Sequence, residues 1–246
     1  MTAPARGAEF AGATCTAPAA RTDRMRDIIV AHVPADRPLR LLDVGCGTGS
    51  LVRRLASALP HASLVGIDLS RANVEAAERE RVRDGAAARV HFEVADYMEF
   101  AAPAFDAIVA DGVLHLVPGH TRELARKLAS DLRPGGVLVC SMPYECAYNT
   151  AFAAVRRALR RVRTSWLDRA ILQAARMLHG REMSDEGLRE RVGYMYIPPT
   201  RLLGERLLAE FEAAGLRRTV EYPMKSTSLS QLRHRAAVFT RAGAAA

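Results

Sequence analysis

The chain predicts an α/β fold: a seven-stranded, mostly parallel sheet with an antiparallel final strand and a helical insertion after strand 5. Three observations lead there. Apolar runs of strand length alternate with helix-period segments from about residue 39 to residue 142, which implies right-handed βαβ crossovers. The first run passes directly into Asp43, Val44, Gly45, Cys46, Gly47, Thr48 and Gly49, with glycine at every second position. The alternation then stops near Tyr144 and resumes at Thr200.

Each element follows from local pattern. Residues 1–20 are rich in Ala, Pro, Thr and Gly and lack an apolar core behind a basic start. They are expected to form a mobile tail and not a signal peptide. Met25, Ile28, Ile29 and Val33 recur at helical spacing, so residues 21–33 are expected to be helical. Leu41–Val44 is strand 1, and residues 50–59 are the helix after the glycine turn. Leu64–Asp68 is strand 2. Ser70 is placed to cap a helix over 71–83 that Gly85 stops. Val90–Asp96 and Phe105–Asp111 are strands 3 and 4, each ending in an acid. A helix over 121–132 reaches the Pro134-Gly135-Gly136 turn, and strand 5 follows.

The insertion reads as helical. Phe152, Val155, Leu159, Val162 and Trp166 repeat at three and four, predicting one or two helices between 151 and 179, with another over 184–192. Pro198 and Pro199 end it. A helix over 200–214, closed by Gly215, then leads to strands over 216–222 and 234–241. The expected division is a tail (1–20), a core (21–143 and 200–246) and an inserted lid (144–199) over the carboxyl edge of the sheet.

Composition sets further bounds. Apolar and charged fractions of 49% and 25% are ordinary for a soluble globular protein, and no run is long enough to span a bilayer. The four cysteines (15, 46, 140 and 146) show neither a C-x-x-C pair nor metal-ligand spacing, which favours a cytoplasmic protein with no metal. Of the net charge of +8, residues 151–181 hold +7, from eight arginines against Asp168. The basic character is one localised surface, which argues against a general nucleic-acid coat.

The glycine spacing carries the chemistry. Glycine lets the backbone turn sharply and approach a ligand, and the turn ends at a helix N-terminus. The dinucleotide fingerprint is G-x-G-x-x-G, whereas this chain has G-x-G-x-G behind Asp43. An ordinary tight βα turn gives the same local signal. The joint run of glycine turn, strand-end acids Asp68 and Asp96, the strand 4 loop and the Pro-Gly-Gly turn resembles class I S-adenosylmethionine (SAM)-dependent methyltransferases, whose fold is Rossmann-like. The loop from Ala110 to His120 resembles that of small-molecule methyltransferases acting on trans-aconitate or malonyl-carrier protein. It departs from several of them in having Leu114-His115-Leu116 where they have Gln-Trp, so the substrate does not transfer with the resemblance.

The resemblance implies SAM as cofactor. It places Gly45, Cys46, Gly47 and Gly49 beneath the methionine and ribose, with Asp43 orienting the turn and reaching the amino group. Asp68 takes the ribose hydroxyls. Asp96 takes the adenine amino group, and Leu69 and Tyr97 flank the ring. Asp111 either holds the SAM ammonium, attracts a cationic substrate or caps the following turn. His115 is the catalytic candidate, since imidazole can take a proton from an attacking hydroxyl or amine; a structural histidine beside the cofactor is equally open. Tyr144, Tyr148, Trp166, Tyr194 and Arg156 are the substrate-side candidates. Arg156, Arg157, Arg160, Arg161 and Arg163 are expected opposite the apolar stripe, as a solvated helix face or as a contact for an acidic molecule, a carrier protein or anionic lipid.

The expected activity is methyl transfer to oxygen or nitrogen of a small molecule. A macromolecular acceptor is the alternative: an acyl-carrier-bound acid, or RNA, which the lack of interleaved aromatics disfavours. An aminopropyl transferase and a non-enzymatic partner protein are the remaining readings.

Overall fold

A computed structural model describes residues 17–83, 88–179, 188–189, 192–193, 195–225 and 231–243. The chain runs α1 (Ala19–His32), β1 (Leu39–Val44), α2 (Ser50–Ala58), β2 (Ala62–Asp68), α3 (Arg71–Arg83), β3 (Val90–Val94), β4 (Phe105–Asp111), α4 (Thr121–Asp131), β5 (Leu132–Pro143), α5 (Ala147–Arg161), α6 (Ser165–His179), α7 (Glu205–Ala213), β6 (Leu216–Pro223) and β7 (His234–Arg241). The strands form one sheet in the order β3-β2-β1-β4-β5-β7-β6. The β1, β2, β3, β4 and β5 ladders are parallel, and β7 lies antiparallel between β5 and β6.

Sheet burial explains why the strands read as continuous apolar runs. Leu41, Val109 and Val139 face one layer with Met25, Ile29, Val52 and Leu55. Their neighbours Leu42, Ile108 and Leu138 face the other, with Leu124, Leu128, Phe211 and Phe239. The period-two alternation of strand side chains sorts adjacent residues to opposite covered faces. Because β1 lies between β2 and β4, the chain reverses direction of growth at β1, and the crevice at the carboxyl ends there is where such sheets bind ligands.

Several sequence expectations shift. α1 begins at Ala19, so the last two tail residues are helical; residues 1–16 lie outside the described residues. The Pro134-Gly135-Gly136 turn is absorbed into β5 as a break in register, Phe105 pairing with Leu132 and Ala107 with Val137, and Gly135 has φ 74°. α7 starts at Glu205, five residues later than expected, because Thr200 and Arg201 are spent on another task described below. Gly85 lies outside the described residues. Of the expected 184–192 helix, the described residues Leu188, Arg189 and Val192 are helical.

The insertion corrects one expectation outright. α5 buries Asn149, Ala153 and Arg156, whereas Val155, Val162 and Trp166 of the predicted apolar stripe are exposed. Polar bonds override the apolar period. Asn149 Nδ2 donates to the Tyr144 and Arg233 carbonyls at 2.7 and 2.8 Å, and its Oδ1 accepts from the Arg233 N–H at 2.8 Å. Arg156 donates to the Ile197 carbonyl at 3.2 Å. These bonds fix which face of α5 turns inward, and Arg157, Arg160, Arg161 and Arg163 remain exposed. Among the described residues no helix is long and apolar enough to cross a membrane.

Candidate active site

The glycine turn follows from backbone conformations other residues avoid. Gly45, Gly47 and Gly49 have φ of 69°, 54° and 76°, all in the left-handed region. A Cβ on Gly45 would sit 2.6 Å from Val113, and one on Gly49 2.6 Å from Phe92. The Gly45 and Cys46 N–H groups donate to the Ile67 carbonyl at 2.8 and 2.9 Å, tying the turn to β2. Gly49 is the N-cap of α2.

Asp68 locks the turn from the next strand. One carboxylate oxygen accepts from the Gly47 N–H at 2.9 Å, and the other from the Ser70 N–H at 2.8 Å and Asn73 Nδ2 at 3.2 Å. The first oxygen keeps a lone pair for a ligand hydroxyl. Sequence reasoning found Asp68 but not its protein donors, which set its rotamer before any ligand arrives. Ser70 caps α3 as expected, accepting from the Asn73 N–H at 3.3 Å.

The other acids differ in state. Asp43 is buried, and its carboxyl is pushed well above the usual range by burial and then by Asp111 and Asp68. Asp96 is half-buried and accepts from the Met98 N–H at 2.9 Å. Leu69 is exposed at the carboxyl end of β2. Cys46 is buried, and burial raises its thiol pKa well above normal. Tyr97 corrects its expected place: it is packed in the core layer with α4, its ring under Lys127 Nζ at 5.0 Å, rather than open at the crevice.

Asp111 has a partner that the sequence did not suggest. Arg21 of α1 reaches both of its oxygens, the closest contact being 2.6 Å, and also donates to Ser141 Oγ at 2.8 Å. Its guanidinium approaches His234 Nδ1 at 3.2 Å. α1 is thereby fastened over the carboxyl ends of β4 and β5. The signal that could have exposed this pair, a charge covarying across 90 positions, does not exist in one sequence.

His115 is buried beside His234, the rings edge-to-face with centroids 5.5 Å apart. Among the described residues its Nδ1 has no hydrogen-bond partner. Burial, then the charges of Arg156, Arg21 and Arg201, lower its pKa to about 3. The loop carrying it is clipped from the far side of the insertion. The Thr200 N–H and hydroxyl donate to the His115 carbonyl at 2.8 and 2.9 Å, and Arg201 donates to the Leu114 and Gly119 carbonyls at 2.6 and 2.9 Å. Thr200 and Arg201, which hold this loop, are residues that sequence reasoning missed.

The substrate-side candidates separate. The charge of Arg156 contributes to the lowered His115 pKa, and Tyr148 stacks on Phe152 at 5.7 Å while Phe152 lies under the Arg156 guanidinium at 4.9 Å. Tyr144 packs against the core with Arg235 over its ring at 4.4 Å. Trp166 is 69% exposed and stands away from this cluster. Tyr194 lies outside the described residues. The described residues contain no His/Cys/Asp/Glu group able to hold a metal ion.

The buried histidines make an acid-stability prediction. An unfolded chain binds a proton at His115 near pH 6.5, while the folded chain resists it until about 3. Stability therefore falls as pH drops below 6.5, by at most about 1.4 kcal/mol per unit for each such group. His234, shifted down mainly by burial, acts in the same direction; Asp43, shifted up, opposes it. His115→Phe is expected to reduce the stability lost between about pH 7 and 5, measured by denaturant unfolding at both pH values. An unchanged loss would place a water or acid against the imidazole.

Comparison with known proteins gives a family match, related sequences and structures of similar fold. Residues 42–138 match a family model described as a methyltransferase domain. A trans-aconitate 2-methyltransferase of Deinococcus radiodurans is 35% identical over 124 residues, covering 50% of this chain and 45% of that protein. One from Rhodopseudomonas palustris is 36% identical over the same length and shares. The matched segment thus spans under half the length of these curated relatives. Among solved structures, the [4+2]-cyclase SpnF aligns with TM-score 0.61 at 19% identity, covering 90% of this chain and 81% of that one. The N-methyltransferase NodS of Bradyrhizobium japonicum in complex with S-adenosylhomocysteine aligns with TM-score 0.56 at 17% identity, covering 89% and 86%. At these identities the structural likeness shows the fold.

Proposed function

We propose that the segment matching the methyltransferase-domain model makes this chain a class I SAM-dependent methyltransferase that moves a methyl group from SAM to an oxygen or nitrogen of a small-molecule acceptor. One observation carries this reading: a strand-end carboxylate bonded into a left-handed glycine turn at the switch point of the sheet. SAM would supply a methyl group made electrophilic by a sulfonium. The chain's own residues fit it. Asp68 keeps a lone pair for the ribose, Asp96 and Leu69 suit the adenine, and the buried Asp43 suits an ammonium, which would favour its ionised form. The acids Asp43 and Asp68 also favour a cationic cofactor over its neutral-sulfur product, which helps release.

Methyl transfer demands alignment more than acid–base chemistry. A buried imidazole with so low a pKa gains little by taking a proton. We therefore read His115 as part of the pocket wall that orients the acceptor. The insertion, residues 144–199, serves as the lid, with Arg156 and Tyr148 on its inner side and Trp166 on its outer side. The half-buried and buried free thiols Cys46, Cys140 and Cys146 suit a cytoplasmic location. A carrier-protein-bound acceptor stays as the second reading, favoured by the exposed arginines of α5; nucleic acid is disfavoured.

SpnF, a cyclase, shares this fold, so the fold alone does not fix methyl transfer. Two measurements test the reading. Calorimetry is expected to show S-adenosylhomocysteine binding in the micromolar range, about −8 kcal/mol, and no NAD binding. Incubation with labelled SAM and a metabolite pool is expected to yield a methylated product. Absence of S-adenosylhomocysteine binding would refute the cofactor, and binding without any transfer would favour a non-methylating use.

A further inference from the structure

The outward side of the inserted helices takes no part in the site. None of the described side chains of α6 is buried, and a helix of its 15 residues is marginal in water without a surface to lie on. Trp166, Ala170, Ala174 and Met177 follow at intervals of four, four and three, so they share one face, and all are exposed. Trp166 and Met177 are 69% and 77% exposed. α5 repeats the pattern: Ala151, Ala154, Val155 and Ala158 are exposed along one face that Val162 extends. Val155, Val162, Trp166 and Met177 are four of the seven large apolar side chains that the described residues expose. Single apolar residues on a surface are ordinary, whereas such a concentration marks a contact. Exposed Arg157, Arg160, Arg161 and Arg169 flank it, and the one acid among residues 151–181, Asp168, pairs with Arg163 at 3.6 Å.

We propose that α5 and α6 dock on an anionic lipid surface, with Val155, Val162, Trp166 and Met177 entering the boundary between headgroups and acyl chains and the flanking arginines holding lipid phosphates. A bilayer of anionic lipid offers both halves of the match, phosphate oxygens above and hydrocarbon a few ångströms below. Guanidinium forks suit the phosphates, and tryptophan suits the boundary, since its ring is apolar and its N–H is polar. Lipid also moulds itself around protruding side chains, so the convex pair of helices needs no complementary pocket. An acidic carrier protein answers the arginines but must supply a hollow for Trp166 and Met177, and nucleic acid has no apolar layer for them. Among the described residues no helix is long and apolar enough to cross a membrane, so the contact is peripheral and reversible. Docking of this face is independent of what the crevice binds.

Trp166 is the single tryptophan of the chain, so its fluorescence reports on this face alone. The full chain is mixed with vesicles of phosphatidylcholine and with vesicles in which about one-third of the lipid is phosphatidylglycerol. It is expected to sediment with the anionic vesicles only, with Trp166 emission shifted to the blue and quenched by lipids brominated on the acyl chains. The combined variant Arg157→Gln, Arg160→Gln and Arg161→Gln is expected to bind at least about tenfold more weakly. Met177→Ser, which leaves every charge in place, is expected to bind severalfold more weakly. Circular dichroism matching wild type shows that both variants are folded. Failure to sediment with anionic vesicles, or wild-type binding by either variant, would overturn the proposal. So would binding without a blue shift or quenching, which is adsorption by charge alone. Tighter capture of an acidic acyl carrier protein than of the vesicles, lost in the arginine variant, would give the face to a protein partner instead.

Discussion

Asp68→Ala is expected to weaken S-adenosylhomocysteine binding by about 10²–10³-fold, because hydrogen bonds to a charged group contribute roughly 1.5–3 kcal/mol each. The loss has two sources. The variant removes the acceptor left open for the ribose. It also frees the Gly47 and Ser70 N–H groups, which the carboxylate holds at 2.9 and 2.8 Å. Gly47 sits between two other glycines with positive φ, so no neighbouring side chain can take over the restraint. The turn then samples conformations that do not fit the cofactor, and ordering it again costs entropy on binding. Asp68 is half-buried at the rim of the sheet, so the fold should survive, with circular dichroism unchanged. Asp68→Asn separates the two sources. One oxygen can still accept, but the new amide donor faces a backbone donor. A wild-type affinity in Asp68→Ala would mean that the crevice at β1 and β2 is not the nucleoside site.

Asn149→Ala is expected to destabilise the folded chain by about 2–5 kcal/mol, since each buried backbone group left without a partner costs roughly 1–3 kcal/mol. Asn149 is fully buried and serves the Tyr144 and Arg233 carbonyls and the Arg233 N–H. Those groups lie where β5 leaves the sheet and where β7 enters it. The asparagine thus closes the sheet and aims α5 in one step. Equilibrium denaturation measures the loss, and limited proteolysis should cut residues 150–180 sooner in the variant. Asn149→Asp is expected to fail as well, because it discards both donor bonds and buries a charge. A change below about 0.5 kcal/mol would show that water replaces the amide without cost.

The core was legible in the sequence because its signals are local. Alternating apolar runs marked all seven strands, and the bounds of β7 fall where expected. The glycines and Asp68 were legible because a tight turn and a strand-end acid need no distant partner to be recognised. Asp111 and Asn149 were not legible in the same way. The sequence offered Asp111 as a contact for a cationic ligand or as a turn cap, and Arg21, 90 positions away, pairs with it. Asn149 carried no signal, since its partners at Arg233 are 84 positions off. Tyr97 followed a strand-end acid and so looked like a ring neighbour, but the chain after Asp96 turns it into the core.

What the sequence determined by itself is the order of strands and helices and the conformation of the cofactor turn, because hydrophobic period and glycine spacing act over a few residues. Which face of α5 points inward was decided only by the tertiary structure. The predicted apolar stripe favoured Val155, Val162 and Trp166, yet α5 buries Asn149, Ala153 and Arg156. Buried backbone groups at Tyr144, Arg233 and Ile197 required donors or acceptors, and satisfying them outweighs the burial of a few exposed apolar side chains. That choice turned a predicted surface arginine into a buried one, bonded to the Ile197 carbonyl.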